Sequence, residues 1–324
     1  MILIIGYREE NAVQEVLSYV YFLNKKAIVI GHDEFEKFVK NFTIADQKID
    51  LQIEINSQII NFSEIELIWY RKTALNKTIV IDGFENEPNL LRKIYFNLER
   101  EINGFKNGIY ELFLTYKKSL GHPYRNDINK FHSLINAKSV GLNIPDTFTS
   151  TSFNDINDYL AENRNTITKS IQDSLMAVEK ENVYSLYTQR ISADDLIFRE
   201  GNAFPSLFQN EISKEFEIRT FYLNEKCYSM AIFSQLDEKT TIDFRDYNWQ
   251  KMNRMVPYNL PIEISEKINS FMKLVNLNTG SIDLIKTTDG KYVFLEVNPV
   301  GQFGFVSNHC NYYLEEEIAN YLVQ

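Results

Sequence analysis

Asp283, Glu296 and Asn298 are the residues of this 324-residue chain whose types and spacing point most directly to chemistry. They stand in Ser281-Ile-Asp283-Leu-Ile and, after a turn over 287–291, in Tyr292-Val-Phe-Leu-Glu296-Val-Asn298-Pro299. Two apolar runs joined by Thr-Asp-Gly predict a β-hairpin. Alternation along the second strand sends Glu296 and Asn298 to one face and Leu295 and Val297 to the other, and Asp283 on the partner strand can meet the first pair. Two carboxylates and a carboxamide converging on one spot form a hard oxygen cage of the kind that holds Mg²⁺ together with nucleotide phosphates. The plainer alternative is a polar sheet face turned to water, although such faces favour mixtures of Lys, Thr and Glu.

The elements that must carry these residues are those of an α/β (α+β) protein. Ile2 to Ile5 and Ala27 to Ile30 predict buried strands around a helix from Glu9 to Leu23, with Val13, Val16, Leu17 and Val20 at helical spacing. Gly6 stands alone at the first turn without a GxGxxG pattern, so a dinucleotide fold of the oxidoreductase type is disfavoured. Strands follow at 51–55, 58–62 and 67–71, then a helix from Pro88 to Phe105. A further helix over 126–141 has Asn126 or Asp127 as expected N-cap, Gly141 just past its end and Pro145 beyond. Ser152 to Glu162 predicts a short helix and Thr166 to Lys169 a strand. Tyr184 to Ile191 is expected to pair with Leu196 to Glu200 as a hairpin, and Phe216 to Phe221 alternates as a strand.

Bulk properties narrow the class of function. A net charge of −10 argues against general nucleic-acid binding, which needs clustered Lys and Arg. Cys227 and Cys310 lack a CxxC spacing, so neither a disulfide framework nor a thiolate zinc site is suggested, and a reducing cytoplasm fits. Neither a basic segment before the first apolar run nor a stretch of about eighteen apolar residues occurs, so no export and no membrane span are expected. The four His residues are scattered and no Ser-His-Asp spacing stands out, so covalent enzyme catalysis has little support.

Asp283 followed by Glu296-x-Asn298-Pro299 resembles the metal-binding signature of the ATP-grasp superfamily, whose members join a carboxylate to a nucleophile through an acyl phosphate. The likeness runs from Tyr116 onward. More narrowly the chain resembles the graspetide synthetases, the microviridin-type maturases that build side-chain ester or amide links in ribosomal peptides. Glu296-Val-Asn-Pro-Val-Gly-Gln302-Phe-Gly with Cys310-Asn-Tyr-Tyr is similar to the grasp-with-spasm subgroup.

The resemblance implies an N-terminal α/β pre-ATP-grasp domain over 1–115, a central lobe over 116–190 and a C-terminal lobe with the metal site over 191–324, with ATP between the lobes. It implies that Lys130 and Lys169 meet the nucleotide phosphates. Backbone around Gln209, Glu211 and Ile212 would meet adenine, Glu217 the ribose hydroxyls, and Arg219 a phosphate or the acyl group. Arg245 would contact the transferred phosphoryl group, with Arg254 a second candidate. Asp283, Glu296 and Asn298 would hold Mg²⁺, as two ions. Arg71 corresponds to an arginine of the N-terminal domain, and Asp194 and Asp195 fall where related maturases grip the leader peptide. No Gly-rich loop follows Lys169, so phosphate neutralisation must lean on side-chain cations.

The activity implied is ATP-dependent macrocyclisation of a precursor peptide with a leader and a core rich in Thr, Ser, Asp and Glu, by a homodimer. An amino-acid ligase that extends a peptide or protein terminus would use the same site, and a decayed nucleotide- or peptide-binding module is the non-enzymatic alternative. Intact Asp283, Glu296 and Asn298 speak against decay.

Overall fold

The computed structural model describes residues 1–31, 35–46, 48–73, 88–172, 176–179, 182–186, 188–196, 201–235 and 253–324. The chain divides into two compact units, Met1–Asp127 with Tyr313–Gln324, and Ile128–Tyr312.

In the first unit, β1 (Ile2–Gly6), α1 (Asn11–Phe22) and β2 (Ala27–Gly31) open the chain, followed by α2 (Phe35–Phe38), β3 (Val39–Ala45), β4 (Lys48–Ile55), β5 (Gln58–Asn61) and β6 (Leu67–Tyr70). Then come α3 (Pro88–Tyr116) and β7 (Lys118–Leu120). A parallel sheet runs in the order β2-β1-β6-β7, and β3-β4-β5 form a separate antiparallel sheet. β1 is buried along its whole length, which explains its unbroken apolar run. Leu3 and Ile5 share a core with Leu51, Ile53, Ile68, Ile109 and Phe113. Alternation leaves the equally buried Ile2 and Ile4 for the other face. Helix α3 extends eleven residues beyond the expected end at Phe105, because Ile109, Tyr110 and Phe113 continue its apolar face into that core.

The second unit begins with α4 (Lys130–Ser139), β8 (Thr147–Ser152), α5 (Phe153–Glu162) and β9 (Thr166–Lys169). A two-stranded hairpin, β10 (Met176–Glu179) with β11 (Asn182–Ser185), precedes β12 (Gln189–Ile191) and β13 (Asn202–Asn210). The sheet order is β12-β9-β13-β8, so β13 pairs back with strands on the other side of the expected division at residue 190. A five-stranded antiparallel sheet follows, formed by β14 (Lys214–Leu223), β15 (Lys226–Phe233), β16 (Arg254–Tyr258), β17 (Thr279–Thr287) and β18 (Tyr292–Asn298) in the order β16-β15-β14-β17-β18. Between β16 and β17 lies α6 (Ile262–Leu274), and after β18 lies α7 (Gly304–Cys310). The last helix, α8 (Leu314–Val323), belongs to the first unit, where it packs on α1.

Two expectations are corrected. The N-cap of α4 is Asn129, whose Oδ1 accepts from Phe131 N at 3.0 Å and His132 N at 3.2 Å, and not Asn126 or Asp127. Its C-terminus follows the reading of Gly141, which takes φ +82°; Leu142 N donates to Ala137 O and Gly141 N to Lys138 O, the bonds of a Schellman end. Tyr184 to Ile191 is not one strand. Its first part pairs with β10 and its last part with β9, and Ala193–Leu196 form a 3₁₀ turn. The expected partner segment over 197–200 lies outside the described residues.

Candidate active site

The five-stranded sheet has one face for packing and one for chemistry. Phe216, Ile218, Ala231, Ile282, Leu284, Phe294 and Val297 enter a single core with Ile268, Phe271 and Met272 of α6 and Leu134 and Ala137 of α4. The residues between them on β14 and β17 are Glu217, Arg219, Ser281 and Asp283, which therefore share the opposite face. Asp283 is directly opposite Glu296, and Ser281 opposite Asn298. The register thus brings together the three residues proposed as a metal cage.

A β-bulge refines that geometry. Pairing steps from Asp283↔Glu296 to Leu284↔Phe294, leaving Leu295 as the extra residue on β18. The core-facing residues around it are Phe294 and Val297, three apart, so Leu295 does not share the inward role expected for it. The bulge resets the alternation so that Glu296 keeps to the site face while Phe294 stays packed. The turn after β18 is equally specific. Asn298 Oδ1 accepts from Val300 N at 3.1 Å and Asn298 O from Gly301 N at 3.1 Å. A side chain at Gly301 would collide with the buried Ser281, which is why glycine stands there.

Each carboxylate of the pair carries a cation. Arg219, opposite Asp283 on β14, donates Nη1 to both oxygens of Asp283 at 3.0 and 2.9 Å, and the two side chains are only 14% and 15% exposed. Lys130 Nζ lies 3.8 Å from Glu296 Oε2 and donates to Ser170 O at 3.0 Å. Helix α4 is set against β18, where Phe294 N donates to Asn143 O at 2.8 Å, so the lysine at its first turn reaches Glu296. Lys169 ends β9 and lines a cavity of about 480 Å³ with Thr168, Ser170, Gln172, Gln189 and Phe204. That volume suits a small ligand.

The donor set fits a hard divalent ion. Its two carboxylates and one carboxamide face one way, and positive charge already sits against both acids. Among the described residues no group of three His, Cys, Asp or Glu side chains gathers, so the remaining oxygens about such an ion would come from phosphate and water.

Other expected site residues are distributed along the same lobes. Gln209 is buried on β13 and its Nε2 donates to Thr147 Oγ1 at 2.9 Å. Glu211 and Ile212 form the short link from β13 to β14, and Glu211 N donates to Asn165 O at 2.7 Å. Arg190, which the sequence did not single out, grips the Glu211 carboxylate with Nε at 2.7 Å and Nη2 at 2.6 Å. These bonds hold the Glu211 carboxyl below the usual range, and raise Arg190 in turn. Glu217 is buried. Its Oε1 accepts from Lys214 Nζ at 2.5 Å and from Ser234 Oγ at 2.7 Å. A register shift between Lys214 and Phe216 brings Lys214 round to Glu217, a contact that plain alternation does not foresee.

Asp195 accepts from Ser192 N at 2.8 Å and Ser192 Oγ at 2.9 Å, which lowers its pKa and commits one oxygen to its own turn, while Asp194 is exposed. Arg71 belongs to the first unit, is 4% exposed and donates to Glu10 at 2.5 Å. Arg254 begins β16 and lies over the Phe233 ring. Arg245 lies outside the described residues.

No protein-family model and no curated protein sequence matches the chain. Among solved structures it is similar over nearly its whole length to an ATP-grasp ligase associated with ribosomal-peptide biosynthesis from Chryseobacterium gregarium, in complex with ADP and a leader and core peptide, at TM-score 0.80 and 23% identity, covering 99% of this chain and 96% of that one. It is similar to the macrocyclase MdnC of Microcystis aeruginosa, bound with its precursor peptide MdnA, at TM-score 0.76 and 27% identity, covering 100% and 99%. The ligase PsnB, with a precursor variant, Mg and ADP, superposes at TM-score 0.73 with 17% identity, covering 99% and 97%. The chain belongs to the ATP-grasp superfamily, with the fold of its carboxylate ligases. Within that superfamily it is similar to the graspetide synthetases, as the motif around Glu296 and Asn298 implied.

Proposed function

We propose that this chain is an ATP-dependent macrocyclase of a ribosomally made precursor peptide. The observation that carries the reading is the face of the five-stranded sheet on which Asp283 and Glu296 stand opposite one another, each against a cation. Full-length likeness to MdnC, a macrocyclase bound to its precursor, supports the peptide as substrate.

In this reading the γ-phosphoryl group of ATP passes to a core Asp or Glu carboxylate, giving ADP and an acyl phosphate. A core Thr or Ser hydroxyl, or a Lys amine, then attacks the acyl carbon, loses its proton and expels phosphate. The ring is an ester or an amide. Lys130 and Lys169 neutralise the nucleotide phosphates, and Arg219 and Arg245 steady the migrating charge with their planar forks. Gln209, Glu211 and Ile212 take the adenine side and Glu217 the ribose. Mg²⁺, as two ions on Asp283, Glu296 and Asn298, would supply charge stabilisation for the phosphates. The protein's part is positioning and electrostatics, as phosphoryl transfer allows.

Asp194 is the better-placed acid for a basic leader residue, since Asp195 serves its own turn. We read the active form as a cytoplasmic homodimer. Among the described residues no helix is long and apolar enough to cross a membrane, and Leu90, Phe96, Leu98 and Phe105 are exposed apolar side chains on α3 that a second copy would cover.

The test is intact-mass analysis of the candidate precursor incubated with the protein, ATP and Mg²⁺. Loss of one water per ring, together with resistance of the ring to linear fragmentation, is expected. ATP consumption with an unchanged precursor mass in the presence of its leader would overturn the assignment.

A further inference from the structure

Gln235 follows the end of β15 and has no role in the reading above. Its carboxamide is held at one end. Gln235 Nε2 donates to Ser234 Oγ at 3.3 Å, and that fully buried hydroxyl donates to Glu217 Oε1 at 2.7 Å. The donor end of the amide is thus directed at Ser234, which leaves its acceptor end presented elsewhere. Gln235 Oε1 is buried and has no hydrogen-bond partner among the described residues. A buried carbonyl without a donor is costly, and a native protein keeps one where something else brings the donor.

The neighbourhood says what that donor is. Lys214 Nζ already lies 2.5 Å from Glu217 Oε1, so another cation would meet like charge there. A neutral hydroxyl fits better. A carboxylate and a carboxamide acceptor linked through one serine match two neighbouring hydroxyl donors.

We propose that Gln235 is a further nucleotide-binding residue, its Oε1 accepting from one ribose hydroxyl while Glu217 accepts from the other. The inference rests on the reading of Glu217 as the ribose carboxylate. Ser234 is a positioning residue that ties the two acceptors together.

The experiment compares binding of ATP, 2′-deoxy-ATP and 3′-deoxy-ATP by titration to the unaltered protein, Gln235→Met, Gln235→Glu and Glu217→Gln, with melting temperature as a folding control. Gln235→Met, of similar size but without the acceptor, should bind ATP about tenfold more weakly and bind one of the two deoxy analogues as the unaltered protein does. Gln235→Glu keeps an acceptor and should keep the preference for that hydroxyl, which guards against a Met variant that folds poorly. Equal weakening towards all three nucleotides, or none, overturns the proposal. If Glu217→Gln discriminates between the analogues while Gln235→Met does not, Gln235 alone is removed. If Gln235→Met discriminates and Glu217→Gln does not, the Gln235 assignment stands and the reading of Glu217 falls.

Discussion

The five-stranded and four-stranded sheets of the larger unit are built to different standards. The five-stranded sheet presses one whole face on α4 and α6, with Ile218, Ile282, Phe271 and Phe294 all essentially inaccessible. The four-stranded sheet rests on a small cluster whose fully buried members are Ile156, Leu160 and Phe208. The acids and Arg219 sit on the first, while Lys169 and the cavity beside it belong to the second. Groups that must hold a set geometry stand on the deep core. The lysine proposed to meet a phosphate stands on the shallow one, where local opening costs less.

Substitutions in the two cores test that contrast most severely. Phe294→Ala should cost about 3–5 kcal/mol and lower hydrogen-exchange protection across β14, β17 and β18 together. Phe208→Ala should cost less and confine its loss of protection to β8, β9 and β13. A common loss across both sheets in each variant would show that the lobes unfold as one body.

Next in size is the proposed catalytic face. Glu296→Gln, which removes charge and not packing, should lower ring formation by about 10²–10³-fold with the unfolding transition intact. Asn298→Ala should act in the same direction. If either variant instead loses cooperative unfolding, the hairpin end is a structural device and the metal assignment fails.

The turn after β18 offers a smaller, reciprocal test. Gly301→Ala should destabilise by about 1–3 kcal/mol because the new methyl group meets Ser281. Ser281→Gly in the same molecule should recover most of that, and a double variant no better than the single one would mean that the turn fails for another reason.

The smallest effect belongs to the shallow lobe. Arg190 holds Glu211 below its ordinary pKa, so the pair stabilises the fold above the unfolded carboxylate pKa of about 4.3, and loses that contribution as pH falls through the lowered native value. Arg190 is well exposed, so solvent screening limits the gain to about 1 kcal/mol or less. In Arg190→Ala the Glu211 pKa, followed by NMR, should rise, and the stability gap to the unaltered protein should narrow as pH falls below the unfolded carboxylate value and close beneath the lowered native one. A gap that persists in acid would trace the arginine's contribution to packing.

The deep lobe was also the more legible one. The β17–β18 hairpin follows from two apolar runs and a Thr-Asp-Gly turn, and with it the meeting of Asp283, Glu296 and Asn298. The bulge at Leu295 was hidden, because one extra residue leaves the apolar pattern of 293–297 nearly unchanged while re-aiming its members. The partnership of Arg219 with Asp283 depends on register between strands sixty-four residues apart, which no local spacing encodes. In the shallow lobe, Tyr184 to Ile191 looked continuous because a short break between strands of different sheets has no strong turn residue to mark it. The cap of α4 was ambiguous for a plainer reason. Asn126, Asp127 and Asn129 are all competent, and only backbone geometry chooses among them. Gln235 and Ser234 gave no signal, since a polar pair after a strand reads as an ordinary strand end.

The membership of α8 in the first unit has a consequence for how the molecule is made. Synthesis makes α1 early, yet the helix that packs on it emerges some three hundred residues later, after the entire second unit. On the ribosome the nascent first unit therefore carries an uncovered α1 surface until α8 has been made, while the second unit, whose residues are consecutive from Ile128 to Tyr312, can complete itself before that. The unit that is begun first is therefore the one completed last.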